Sequence, residues 1–211
     1  MSEHAHYGDG YNRRKLFWIG VIALFTAAFT VSLRAAVSAD LKAVFLDPVN
    51  LAESGALIGG VLGAGFTGFA LTLFITSPFL DYIGMGRMAL ISAGSFVIGT
   101  LMMIFAGPIA AAFGGDMAIY WVMFVSVLIT GIGWGCVESF TNPMTASLYP
   151  DDKTHRLNVL HAWWPAGLAA GGITGVILAN MNLNWQVALA LTPIPALVFG
   201  FMAIGEKFPH T

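Results

Sequence analysis

The stretch Gly131-Ile-Gly-Trp-Gly-Cys136-Val-Glu138-Ser-Phe-Thr-Asn142-Pro143 lies inside an apolar run and sets a carboxyl and an amide four residues apart. Residues at that spacing share a helix face, so Glu138 and Asn142 look into one space. An ionisable group at membrane depth is tolerated where it meets a partner or a water-filled cavity. The pair therefore reads as the wall of a solute pathway, and the run around it as a membrane span.

Composition agrees with that reading. Of 211 residues, 57 % are hydrophobic and 9 % charged, with a mean hydropathy of +0.79. A soluble domain carries about 25 % charged residues, so this is an integral membrane protein. The net charge of -2 says nothing about partners, because the charges are sorted by side, and no basic run suggests nucleic acid. The single Cys136 excludes an internal disulfide and a thiolate zinc site. No phosphate-binding loop, dinucleotide fingerprint, histidine-rich metal spacing or nucleophile elbow is present, so neither cofactor, metal nor catalysis is expected. The first apolar run has no small-residue cleavage site behind it and reads as a retained helix, not a signal peptide.

A spanning helix needs about 20 mostly apolar residues. Six such segments can be drawn: Leu16–Ser38, Ser54–Leu80, Met88–Phe113, Met117–Leu148, Leu157–Asn180 and Trp185–Gly205. The fourth is long for one crossing and is expected to tilt, bend at Pro143 or protrude. With both termini cytoplasmic, the inner side holds Arg13, Arg14, Lys15, Arg87, Lys153, Arg156 and Lys207, and the outer side only Lys42. That bias orients the chain in the cell (inner) membrane.

Glycines spaced by four recur at Gly55, Gly59 and Gly63 and again at Gly167, Gly171 and Gly175. Small residues at that spacing let helices approach closely in lipid. The second and fifth spans correspond if the chain is two inverted three-helix repeats. Arg34, late in the first span, and Glu138, late in the fourth, fit the same scheme. Membrane bundles without internal repeats also use glycine stripes.

Two stretches carry a family resemblance. Ser77-Pro-Phe-Leu-Asp81-Tyr-Ile-Gly84-Met-Gly-Arg87 resembles the cytoplasmic loop signature between helices 2 and 3 of the major facilitator superfamily, with Ser77 in place of the leading glycine and a late basic residue. Residues 131–172, GIGWGCVESFTNPMTASLYPDDKTHRLNVLHAWWPAGLAAGG, are similar to the helix 4–helix 5 region of the fucose–proton symporter family. The resemblance implies one six-helix half of a twelve-helix transporter. It implies a cytoplasmic tail over 1–14, a bundle over 15–206 and the start of a central linker at 207–211. It also implies a truncated chain, or else a second copy or a separate partner half. Sugar symporters of that family carry an Asp late in helix 1. Here the stretch is Ser32-Leu-Arg34-Ala-Ala-Val, a cation where the acid would be, so that residue's part in proton coupling does not carry over.

Glu138 can bind substrate hydroxyls or take up a proton, or it can be a neutral carboxyl bonded to a neighbouring helix. Asn142 can meet a sugar-like ligand or brace the backbone ahead of Pro143. In His161-Ala-Trp163-Trp164-Pro165, adjacent side chains point about 100° apart on a helix. One indole therefore faces a cavity, with Trp164 preferred, while the other packs or anchors at the lipid interface. His161, nearer the cytoplasmic mouth, suits a proton relay or a helix-end hydrogen bond. Arg34 can attract an anion, pair with an acid or snorkel to headgroups. It is placed too far from Glu138 for a direct bridge. Asp81, Gly84 and Arg87 read as a gate latch, or as ordinary loop charges.

The expectation is an all-α membrane protein of six transmembrane helices that moves a small polar, sugar-like solute by alternating access. A non-transporting scaffold subunit is one rival. A membrane enzyme using Glu138 and His161 is the other, and a depth difference of roughly 9 Å counts against it.

Overall fold

A computed structural model describes residues 10–210. Most of the tail assigned to 1–14, and the last residue of the 207–211 segment, lie outside them. Six apolar helices follow one another: α1 Arg13–Ala36, α2 Ser54–Ile83, α3 Met85–Ile104, α4 Ala118–Leu148, α5 Lys153–Asn180 and α6 Trp185–Ala203. No strand occurs among the described residues. The chain is a multi-pass, all-α membrane protein.

Proline and glycine decide where these helices differ from the expected segments. The third span was drawn to Phe113, but α3 ends at Ile104 and a separate helix, Ala106–Phe113, follows. Pro108 has no N–H to return to the Ile104 carbonyl, so the ladder breaks there. The sixth span is interrupted after Ala190 and resumes at Pro193. The Leu189 carbonyl that Pro193 cannot reach accepts instead from the Thr192 N–H at 3.0 Å and the Thr192 hydroxyl at 2.9 Å. By contrast, α4 runs unbroken for 31 residues with Pro143 inside it.

The stretch read as a loop after the second span is helical as far as Ile83. Pro78 sits in a first turn, where its missing N–H leaves no bond unmade. The chain then turns on Gly84, at φ +86° and ψ 135°, a conformation that side chains disfavour.

In the bundle, α4 lies between α2 and α3, α5 runs along α1, and α6 bridges α1 and α3. Exchanging helices 1, 2 and 3 for 4, 5 and 6 turns the α2–α4 contact into α5–α1 and the α3–α4 contact into α6–α1. That is the pairing two three-helix repeats produce. The α1–α5 seam closes on the glycine stripe expected for it. A Cβ on Gly171 would lie 2.8 Å from the Phe29 carbonyl, and one on Gly167 2.7 Å from that of Phe25.

The other stripe is a correction. Gly55, Gly59 and Gly63 face open space. The α2–α4 seam closes instead where a Cβ on Gly131 would strike the Gly65 carbonyl and one on Gly135 would lie 2.6 Å from Thr72 Cβ. The four-residue spacing identifies small residues but not the rotation of their helix.

Small hydroxyls stitch the seams. Ser92 donates to the Gly133 carbonyl and Ser126 to that of Gly99, each at 2.8 Å, and Ser32 to that of Leu168 at 2.7 Å. At one end of the bundle Lys15 pairs with Glu206 at 2.6 Å, tying the start of α1 to the chain beyond α6. At the other end Lys42 pairs with Asp47 at 2.7 Å.

Candidate functional site

Glu138 and Asn142 share a face of α4, as their spacing requires, and the structure adds His161 of α5. Asn142 Nδ2 donates to Glu138 Oε2 at 3.2 Å. His161 Nε2 and Asn142 Oδ1 are 2.9 Å apart. With the amide nitrogen given to the carboxylate, Oδ1 is left to accept, which puts a proton on His161 Nε2. The depth difference that argued against Glu138 and His161 working together is thus spanned by a single amide.

Glu138 is half-buried and opens onto a cavity of about 370 Å³ between the C-terminal parts of α2 and α4, lined also by Ser77, Asp81, Ser139 and Pro143. Beside it, the hydroxyls of Thr76 and Ser139 meet at 2.7 Å across the two helices. Asp81 therefore shares a cavity with Glu138, a relationship its reading as a gate residue did not include. Gly84 forms the turn immediately beyond. Arg87 is exposed and reaches back to the Ile83 carbonyl at 3.5 Å. Arg156 donates through Nε to Asp152 at 3.2 Å and lies 4.5 Å over the Tyr149 ring.

The two adjacent indoles separate as helix geometry demands. Trp163 meets Trp18 of α1 edge-on at 5.9 Å. Trp164 stacks on Trp134 of α4 at 5.0 Å, and Trp134 stacks on Phe69 of α2 at 4.1 Å. Trp134 was not among the expected site residues. Its signal was available: it stands four residues before Glu138 in the same glycine-rich string.

Arg34 does not snorkel. It is 6 % exposed, and its Nη2 donates to Thr130 Oγ1 at 2.8 Å. Thr130, also unforeseen, lies four residues before Trp134. Thr130, Trp134, Glu138 and Asn142 thus form a row along one ridge of α4, and Arg34 meets its first member. Eight residues of helix, about 12 Å of rise, separate Thr130 from Glu138. A second cavity, about 230 Å³, opens at this end between α1, α2 and α4, lined by Thr30, Arg34, Phe66, Thr130 and Trp134 among others.

The site is a tall polar and aromatic wall: a guanidinium with two threonines at one end, indoles in the middle, and a carboxyl–amide–imidazole chain at the other. Such a wall offers donors and acceptors for hydroxyls and flat faces for the apolar side of a ring.

Comparison with known proteins gives two matches. The family profile described as "Sugar (and other) transporter" matches residues 15–206. The D-xylose transporter of Levilactobacillus brevis is 25 % identical over 157 residues, covering 73 % of this chain and 30 % of that protein. The chain thus matches less than a third of that relative's length. No solved structure matches.

Proposed function

This chain belongs to the sugar (and other) transporter family, and from that premise we propose that it forms one six-helix half of an alternating-access transporter for a small polar solute of sugar type. The observation that carries the reading is the Glu138–Asn142–His161 chain, whose Glu138 end lines the α2–α4 cavity. Glu138 and Asn142 bind solute hydroxyls, His161 holds the amide in register, and Trp164, backed by Trp134, supplies the stacking face. Because α4 and α5 otherwise touch little, a bond between their side chains can open and re-form as the bundle rocks.

Asp81, Gly84 and Arg87 form the inner gate, with Asp81 acting at the mouth of the cavity that Glu138 lines. Both termini lie on the cytoplasmic side of the inner membrane, on the strength of the basic residues gathered at that end of the bundle. A second six-helix half packs against α2 and α5. Both helices leave most of their surface uncovered, and Gly55, Gly59 and Gly63 offer a close approach there. The likeness to the fucose–proton symporter branch over residues 131–172 supports coupling to a cation. The relative named for D-xylose supports a pentose as the first solute to try.

The test is uptake of labelled D-xylose into vesicles holding the protein. Glu138→Gln and Asn142→Ala should each reduce saturable uptake at least tenfold while the protein still inserts and melts cooperatively. Unchanged uptake in both variants would place the cavity outside the pathway and favour the scaffold reading.

A further inference from the structure

Arg34 is the one charged residue within the buried set of the described residues. A guanidinium held out of water needs a counter-charge, because the desolvation of an unpaired ion is severe. Its hydrogen bond is to a neutral hydroxyl, Thr130 Oγ1. The ion pairs found among the described residues lie elsewhere, at Lys15–Glu206, Lys42–Asp47 and Arg156–Asp152. Around the same cavity three further polar atoms are buried without a partner: Arg34 Nε, Thr30 Oγ1 and Trp134 Nε1.

We propose that the solute carries a carboxylate, and that Arg34, Thr30 and Trp134 are the cradle that receives it, with Thr130, whose proton goes to the Val127 carbonyl, holding the guanidinium in place. This rests on the transport reading above and narrows it from sugar to sugar acid. The planar guanidinium fork matches a carboxylate with two parallel hydrogen bonds, which a single ammonium cannot. A threonine hydroxyl and an indole N–H add donors that a neutral ring oxygen would use less well. The rest of the lining is apolar, including Ala27, Val31, Leu62 and Phe96. It therefore favours an organic anion over a strongly hydrated inorganic one.

The wall also gives the solute a direction. Its acid group sits at Arg34, its ring or chain extends past the edge of Trp134, and its hydroxyls point toward the Glu138 end of α4. A carboxylate entering the other way round would meet the Glu138 carboxyl and the nearby Asp81.

The test uses the purified full chain, with binding read by tryptophan fluorescence and thermal shift. The probes are D-glucuronate, D-glucose, D-xylose and acetate at equal ionic strength. D-glucuronate should bind at least about 30-fold tighter than D-glucose, the loss typical of leaving one partner of a buried charge pair unmatched. Arg34→Gln should erase that preference, and Arg34→Lys should fall between, because it keeps the charge and loses the fork.

If Arg34→Gln does not fold, the wild-type preference and Arg34→Lys still decide. Neutral sugars binding as tightly as D-glucuronate would overturn the proposal and leave the transport reading standing. A carboxylate supplied by a second six-helix half would give that same result. Acetate matching D-glucuronate would overturn the sugar-acid class. Failure of all four probes, together with no saturable uptake of D-xylose, would overturn both readings.

Discussion

Asn142 and His161 meet at 2.9 Å across α4 and α5, two helices with little other contact. Each helix packs mainly elsewhere: α4 on α2 and α3, α5 on α1. The bond therefore joins two sub-bundles. With the Trp134–Trp164 stack, it holds together a wall that tight packing does not reach.

A double-mutant cycle on Asn142→Ala and His161→Ala should show a coupling of about 0.5–1.5 kcal/mol, the net worth of a hydrogen bond. Thermal unfolding in detergent measures it. Asn142→Ala also frees Glu138 and should reduce uptake more than His161→Ala does. Additive effects on stability would mean that the two side chains are not joined in the membrane.

The glycines separate into two classes with opposite expectations. Gly131→Ala drives a Cβ into the Gly65 carbonyl, so α2 and α4 must part, and stability should fall by about 1–3 kcal/mol. Gly59→Ala meets nothing within this bundle and should leave its melting temperature unchanged or slightly raised, since alanine favours helix over glycine. If a second half docks on α2, Gly59→Ala should instead weaken that association, read by cross-linking or native mass spectrometry.

At the end of the bundle away from Lys15 and Glu206, hydrogen bonds from Lys42 and Ser54, the Lys42 contribution being the larger, hold the Asp47 carboxyl below its ordinary value of 3.8. The folded-state value is depressed, so the stabilisation is present above that ordinary value and is lost as pH falls through the lower, folded-state one. Amide exchange in the segment around Ser54 should accelerate at acid pH in wild type. Lys42→Ala should already show fast exchange at neutral pH. A variant whose exchange matches wild type at neutral pH would show that the ion pair does not order this loop.

Local rules read much of this protein directly from the chain. Apolar length marks six spans because lipid leaves a backbone few other options, and the four-residue spacing of Glu138 and Asn142 puts both on one face whatever surrounds them. Proline has similarly local effects. Pro108 ends α3 early because it removes a ladder bond that no neighbour restores, although the hydrophobic run around it is unbroken.

Contacts between helices were a different matter. Hydropathy sets that a helix crosses, but its rotation and depth come from how ridges and glycines of separate segments fit. Hence Gly55, Gly59 and Gly63 look like a packing stripe and face open space, while Gly131 and Gly135 close the seam. Arg34 looks free to reach the headgroups and is instead turned inward onto Thr130, and Trp134 joins the wall through its stack on Trp164. Spacing along one helix is set by bond geometry; partnership between helices is set by which surfaces bury against each other, and that is a property of the assembled bundle.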